Sequence, residues 1–196
     1  MLLIDMARLR TFINLIRMDP LFLPRFLLYR LHPRALLPTT VHVRRLFFSP
    51  QYPNDKLEDF NQYLAESESM VWVLGMIPKF ADFQIVVQRS IIGLGGSEPK
   101  GERILILVGE HDVLMDVQMM RRLAMRYRDA VKQSIGENGE SHVGSDGANQ
   151  ADTEAYTENR GDGVRTVVVK GAGHHVQNDL QWEVGAQRVA DFLQQL

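Results

Sequence analysis

Two apolar runs, each ending in a polar turn and followed by a helix, constrain this chain more than any other feature. The first, Ile104-Leu105-Ile106-Leu107-Val108, is hydrophobic at every position. A strand with one wet face alternates, so an unbroken run belongs to a strand covered on both faces, as in a parallel sheet. It closes at Gly109-Glu110-His111-Asp112. Asp116 then reads as a helix N-cap, and Met120, Leu123, Ala124, Tyr127 and Val131 fall on one helical face. The second run, Thr166-Val167-Val168-Val169, is β-branched throughout and ends in Gly171-Ala172-Gly173-His174-His175. A last helix follows Asp179, with Ala186, Val189, Phe192, Leu193 and Leu196 on its expected inner face. Strand, helix, strand, helix is a β-α-β-α unit of an α/β fold. It implies parallel strands joined by a right-handed crossover.

Composition removes several classes. The chain has 196 residues, 45% of them hydrophobic and 23% charged, with a net charge of −2. Such a balance is that of an ordinary globular protein. The absence of cysteine excludes disulfide scaffolds, thiolate zinc sites and a cysteine nucleophile. Near-neutral charge gives no electrostatic case for nucleic acid. The apolar runs are too short to span a bilayer. Arginines interrupt the apolar start, MLLIDMARLRTFINLIR, which a secretory signal would keep unbroken. A cytoplasmic location is the resulting expectation.

Charge is unevenly placed. Residues 1–50 hold eight arginines and only two acids, whereas residues 134–163 hold seven acids and one arginine. The second stretch is rich in Gly, Ser, Asn and Asp, and predicts a disordered acidic insertion. Residues 1–95 read as short helices broken by prolines and dense in aromatics, and residues 96–196 as the strand-bearing part.

Sites in open parallel sheets form at the carboxyl ends of the strands. Asp112 and His174 each lie just past such an end, so neighbouring strands would bring them together. A carboxylate beside a histidine orients the ring and fixes its tautomer, the supporting half of a hydrolytic triad. The same residues also fit a capped turn and an ordinary loop histidine.

The segments VGEHDVLMDVQMMRRLAMRYR and VVVKGAGHHVQNDLQWEVGAQRVADFL resemble the end of an α/β-hydrolase. In that family one strand ends in G-x-x-D, matched by Gly109–Asp112, and a later one in G-x-G-H, matched by Gly171–His174. The resemblance implies that Asp112 is the triad acid and His174 the general base. His175 is the weaker candidate for the base, and Asp116 a rival for the acid better read as a cap. The proline-broken region, from about residue 15 to 93 and including Glu66–Trp72, resembles the helical cap many members insert before the acid-bearing strand. The family implies cofactor-free hydrolysis of a small apolar ester, amide or related molecule.

One part of the family pattern is missing. No G-x-S-x-G elbow occurs; Gly139-Glu140-Ser141-His142-Val143 lacks the last glycine and a preceding strand. The early strands and oxyanion-hole segment are missing too. The chain therefore reads as a fragment, inactive alone, whose first strand has an open edge for a missing N-terminal half or another chain. With an aspartate nucleophile, His174 would activate water instead. Gly93–Gly96 precedes a strand and so reads as a linker, not a dinucleotide fingerprint. His111, His174, His175 and Asp112 lack metal-site spacing. Two alternatives stand beside the hydrolase: a non-catalytic remnant binding a hydrophobic ligand or protein partner through the cap region, and a membrane-surface protein anchored by the basic amphipathic N-terminus, whose apolar side otherwise packs within the cap.

Overall fold

A computed structural model of the chain describes residues 11, 13–30, 32, 37–64, 83–89, 101–136 and 149–196. Helices that precede the sheet among the described residues include α1 (Phe22–Leu28), α2 (Thr40–Phe47), α3 (Asn54–Gln62) and α4 (Phe83–Val87). The strand-bearing part runs β1 (Ile104–Gly109), α5 (Val117–Gly136), β2 (Asn149–Asp152), β3 (Tyr156–Gly161), β4 (Val164–Val169), a short 3-10 turn (Val176–Asn178) and α6 (Trp182–Leu193).

The fold is mixed α/β. The sheet order is β1-β4-β3-β2. β1 and β4 are parallel and in register from Ile104↔Val164 to Gly109↔Val169. The other two pairings are antiparallel. The expected parallel pair is therefore present, but the sheet is not built of parallel strands alone.

The difference comes from the acidic stretch. Residues 134–163 were expected to be disordered, yet β2 and β3 lie within them and extend the sheet beyond β4. Composition misled here because the hairpin is ordered by its ladder and by charge pairing instead of by apolar bulk. Glu158 on β3 is buried and paired with Arg165 on β4, 3.3 Å away. Arg165 is fully buried; it also reaches Glu102 at 3.1 Å, bonds Gln195 and lies over the Phe192 ring. Glu158 is thus the more deeply buried of two acids, with Glu102, that neutralise that guanidinium. Lys170 to Asp152, at 2.6 Å, ties β2 to the far end of β4.

Helices cover both faces of the parallel pair. Ile106 and Val164 pack on one side with Ala124, Met120, Leu123 and Tyr127 of α5, the face read from the sequence. Leu105, Leu107, Val167 and Val169 pack on the other with Val176 and Val184. Helix α6 is phased differently from the expectation. Phe192 is buried, but Val189, Leu193 and Leu196 are exposed. Its inner face starts at Gly185, where a Cβ would sit 2.7 Å from Val176. Arg188 continues that face, its guanidinium over the Tyr156 ring and donating to the Tyr156 hydroxyl at 3.0 Å. The helix follows Asp179 as expected, beginning three residues later.

The helical region has its own core of Val43, Phe48, Tyr52 and Leu57, each worth roughly 1.5–3 kcal/mol on burial. A second cluster, Leu15, Phe22 and Leu46, packs against Val113 and Leu114 just after the first sheet strand. Helix α4 packs instead on α5, through Val87 against Ala130 and Val131 and Phe83 edge-on to Tyr127. Packing thus changes sides before residue 95. Glu66–Trp72, Gly93–Gly96 and Gly139–Val143 lie outside the described residues.

Candidate functional site

The in-register ends of β1 and β4 set the site. Gly109 pairs with Val169, so the turns that follow start side by side. They interlock through backbone bonds: Glu110 N–H to the Val169 carbonyl at 3.0 Å and His111 N–H to the Ala172 carbonyl at 2.8 Å. Two glycines permit this approach. A Cβ on Gly109 would lie 2.0 Å from the Gly173 carbonyl oxygen, and one on Gly173 would lie 2.5 Å from the Phe48 backbone. Gly171 takes a positive φ of 74°, which closes the second turn.

Asp112 and His174 meet there, Oδ2 to Nδ1, at 2.8 Å. The side chains are 5% and 27% exposed. The carboxylate divides its oxygens: Oδ1 accepts from the Leu114 and Met115 backbone N–H groups at 2.9 and 2.8 Å, leaving Oδ2 for the ring. A carboxylate only accepts, so it holds the neutral imidazole with its proton on Nδ1 and a lone pair on Nε2. No hydrogen-bond partner of Nε2 occurs among the described residues. This is the arrangement a general base needs.

The two rival candidates go elsewhere. Asp116 accepts from the Met119 N–H at 2.9 Å and from Asn14 at 3.3 Å, which makes it a cap and a tether to the N-terminal region. His175 points into the helical region, its ring 4.7 Å from Phe47 and 5.6 Å from Phe60. Burial there pushes its pKa down; the neighbouring His174 acts the same way and Asp112 opposes. Adjacent histidines have therefore separated into a dyad member and a packing residue.

Sequence reasoning missed Asp179 as a site residue. It is 2% exposed and accepts four hydrogen bonds: from Ser49 N–H at 2.6 Å, Ser49 Oγ at 2.7 Å, Gly173 N–H at 2.8 Å and Leu180 N–H at 2.7 Å. Its carboxylate thus clamps the residue before His174 to the end of the α2 segment. His175 N–H adds a bond to the Phe47 carbonyl at 2.8 Å. No local signal marks Asp179, because Ser49 is 130 positions away.

An open cleft of about 440 Å³ flanks Asp112, lined also by Asn14, Arg17, Met18, Glu110 and Asp116. Among the described residues no group of three or more His, Asp or Glu is arranged to hold a metal ion. Nor is any described helix long and apolar enough to cross a membrane.

No protein-family model, curated protein or solved structure matches the chain.

Proposed function

We propose that this chain carries the acid and base of an α/β-hydrolase site, with His174 as general base and then general acid and Asp112 as its orienting carboxylate. The observation that supports this most is the 2.8 Å bond from His174 Nδ1 to an Asp112 oxygen whose partner oxygen is held by two backbone N–H groups. A surface ion pair needs no such division of labour. In the reaction, His174 Nε2 takes the proton from the attacking hydroxyl as it adds to the carbonyl of an ester or amide, then returns it to the leaving group. Asp112 stabilises the imidazolium in between and stays ionised.

The nucleophile is supplied by a segment that completes the sheet. Two features support that. β1 is an edge strand among the described residues, with an apolar sequence better suited to a sheet interior. Helix α6 exposes Val189 and Leu193, with Leu196 exposed just past its end. A further parallel strand and its helix would cover both. The substrate class follows the family resemblance: a small, mostly apolar ester, amide or related molecule. The chain alone is inactive.

The test is the transcript read upstream of Met1 in frame. Continuation into strands and a G-x-S-x-G turn, or an aspartate at the same elbow, is the expected result. A message that starts at Met1 would leave His174 with nothing to activate and favour ligand or partner binding through the helical region.

A further inference from the structure

Residues 13–29 send apolar side chains in two directions. Leu15 and Phe22 are buried against Leu46, with Met18 and Phe26 beside them. That set does the packing expected of the amphipathic N-terminus. A second set is exposed: Leu21 is 69% exposed, Leu23 46%, Leu27 70%, Leu28 82% and Tyr29 56%. These five lie within nine consecutive residues, on α1 and its flanking turns. Single exposed leucines are ordinary, but a run this dense is not.

The charges around them have one sign. Arg17 and Arg30 are exposed on either side of the run. Arg25 is paired with Asp19, and Asp19, the segment's only acid among described residues 11–32, is 7% exposed. The first fifty residues hold eight arginines against two acids in a chain that is acidic overall. Protruding leucines, an amphipathic Tyr29 and flanking arginines form the pattern of a peripheral membrane contact.

We propose that this face rests on an anionic lipid bilayer, with Leu21, Leu23, Leu27 and Leu28 in the outer acyl region and Arg17 and Arg30 at the phosphates. A second copy suits the face poorly, since self-association would set arginines against arginines. A protein groove suits it less well than a bilayer, because Leu21, Leu27 and Leu28, 69–82% exposed, protrude and a bilayer accommodates them without matching their shape. Arg17 also lines the cleft at Asp112, so the contact sits beside the candidate site. The inference stands apart from the hydrolytic reading and is tested without any activity.

The experiment is co-sedimentation of the 196-residue chain with phosphatidylcholine vesicles, with and without phosphatidylglycerol. Binding is expected only with the anionic lipid, and it should weaken as salt is added. Leu27→Asp with Leu28→Asp, both at exposed positions, should lower binding about tenfold or more with an unchanged far-ultraviolet spectrum. Arg17→Ala and Arg30→Ala should each lower it about fivefold. Leu28→Trp gives a direct readout: its added emission, over that of Trp72 and Trp182, should shift to the blue on anionic vesicles. Absence of binding, an unshifted Leu28→Trp signal, or binding indifferent to the two aspartates would overturn the proposal. So would self-association that Leu27→Asp dissolves while vesicles are ignored, which would give the face to a second copy.

Discussion

Ser49 and Asp179 are 130 positions apart in the chain and 2.7 Å apart in space, hydroxyl to carboxylate, with both residues buried. Through that contact the helical region and the histidine turn share one hub. Asp179→Ala would leave the Ser49 and Gly173 amides without their acceptor. Hydrogen bonds to a charged group are worth about 1.5–3 kcal/mol each and do not add fully, so a loss of about 3–5 kcal/mol is expected in urea unfolding. Ser49→Ala, which spares three of the four bonds, should cost about 1–2 kcal/mol. Equal costs for the two would contradict the hub.

Gly173 tests the same junction by crowding. Its Cβ would meet the Phe48 backbone at 2.5 Å, where no flexible side-chain end can move aside. Gly173→Ala should cost about 1–3 kcal/mol or more. It should also loosen the His175 amide from the Phe47 carbonyl, raising its hydrogen-exchange rate. Gly161→Ala adds no crowding, since nothing lies within 4 Å of the added carbon, and reads backbone strain alone at its φ of 156°.

The buried pair Arg165 and Glu158 should respond asymmetrically. Removing the buried acid alone, Glu158→Ala, leaves the fully buried guanidinium with only Glu102 as an acidic partner among the described residues and should cost about 3 kcal/mol. Arg165→Met together with Glu158→Leu removes both charges and should recover most of that loss. Thermal unfolding of the three variants checks this. A double variant no better than Glu158→Ala would mean the pair does more than neutralise itself.

Acid should weaken the fold through His175. Burial among Phe47, Phe48 and Phe60 holds its folded pKa below the usual 6.5, with His174 acting in the same direction. Below that value the unfolded chain binds more protons than the folded one. The contribution of His175 is therefore full above about pH 6.5 and declines as pH falls through 6.5 toward the lower folded value. His175→Phe should flatten that part of the stability profile in chemical denaturation at a series of pH values. An unchanged slope would assign the acid sensitivity elsewhere.

The local pattern carried β1, β4, the buried face of α5 and the meeting of Asp112 with His174, because each follows from periodicity or from the end of a strand. Everything that depended on a distant partner was hidden. Asp179 read only as the residue before a helix, because its donor Ser49 is distant in the chain. β3 read as a solvated acidic stretch because Glu158 matters only once Arg165 is known to be buried. The inner face of α6 went unrecognised because it is made by Gly185, which has no side chain to count, and by the stem of Arg188. His174 and His175 could be told apart only by what each ring meets.

The tautomer of His174 can be read in this chain directly. With Nδ1–H donated to Asp112, long-range proton–nitrogen spectra at pH 8 should find Nδ1 protonated and Nε2 bare. Asp112→Asn should shift the ring toward the other tautomer. A wild-type ring already protonated on Nε2 would contradict the assignment of roles.

Turnover is the most direct test of the central claim. The measurement is the hydrolysis of a short-chain p-nitrophenyl ester by the chain joined to the sheet-completing segment proposed above, compared with His174→Ala and Asp112→Asn. The account predicts measurable turnover for the joined protein. It predicts a loss of about 10⁴-fold or more for each variant, and none above background for the 196 residues alone. Turnover that survives His174→Ala would contradict it.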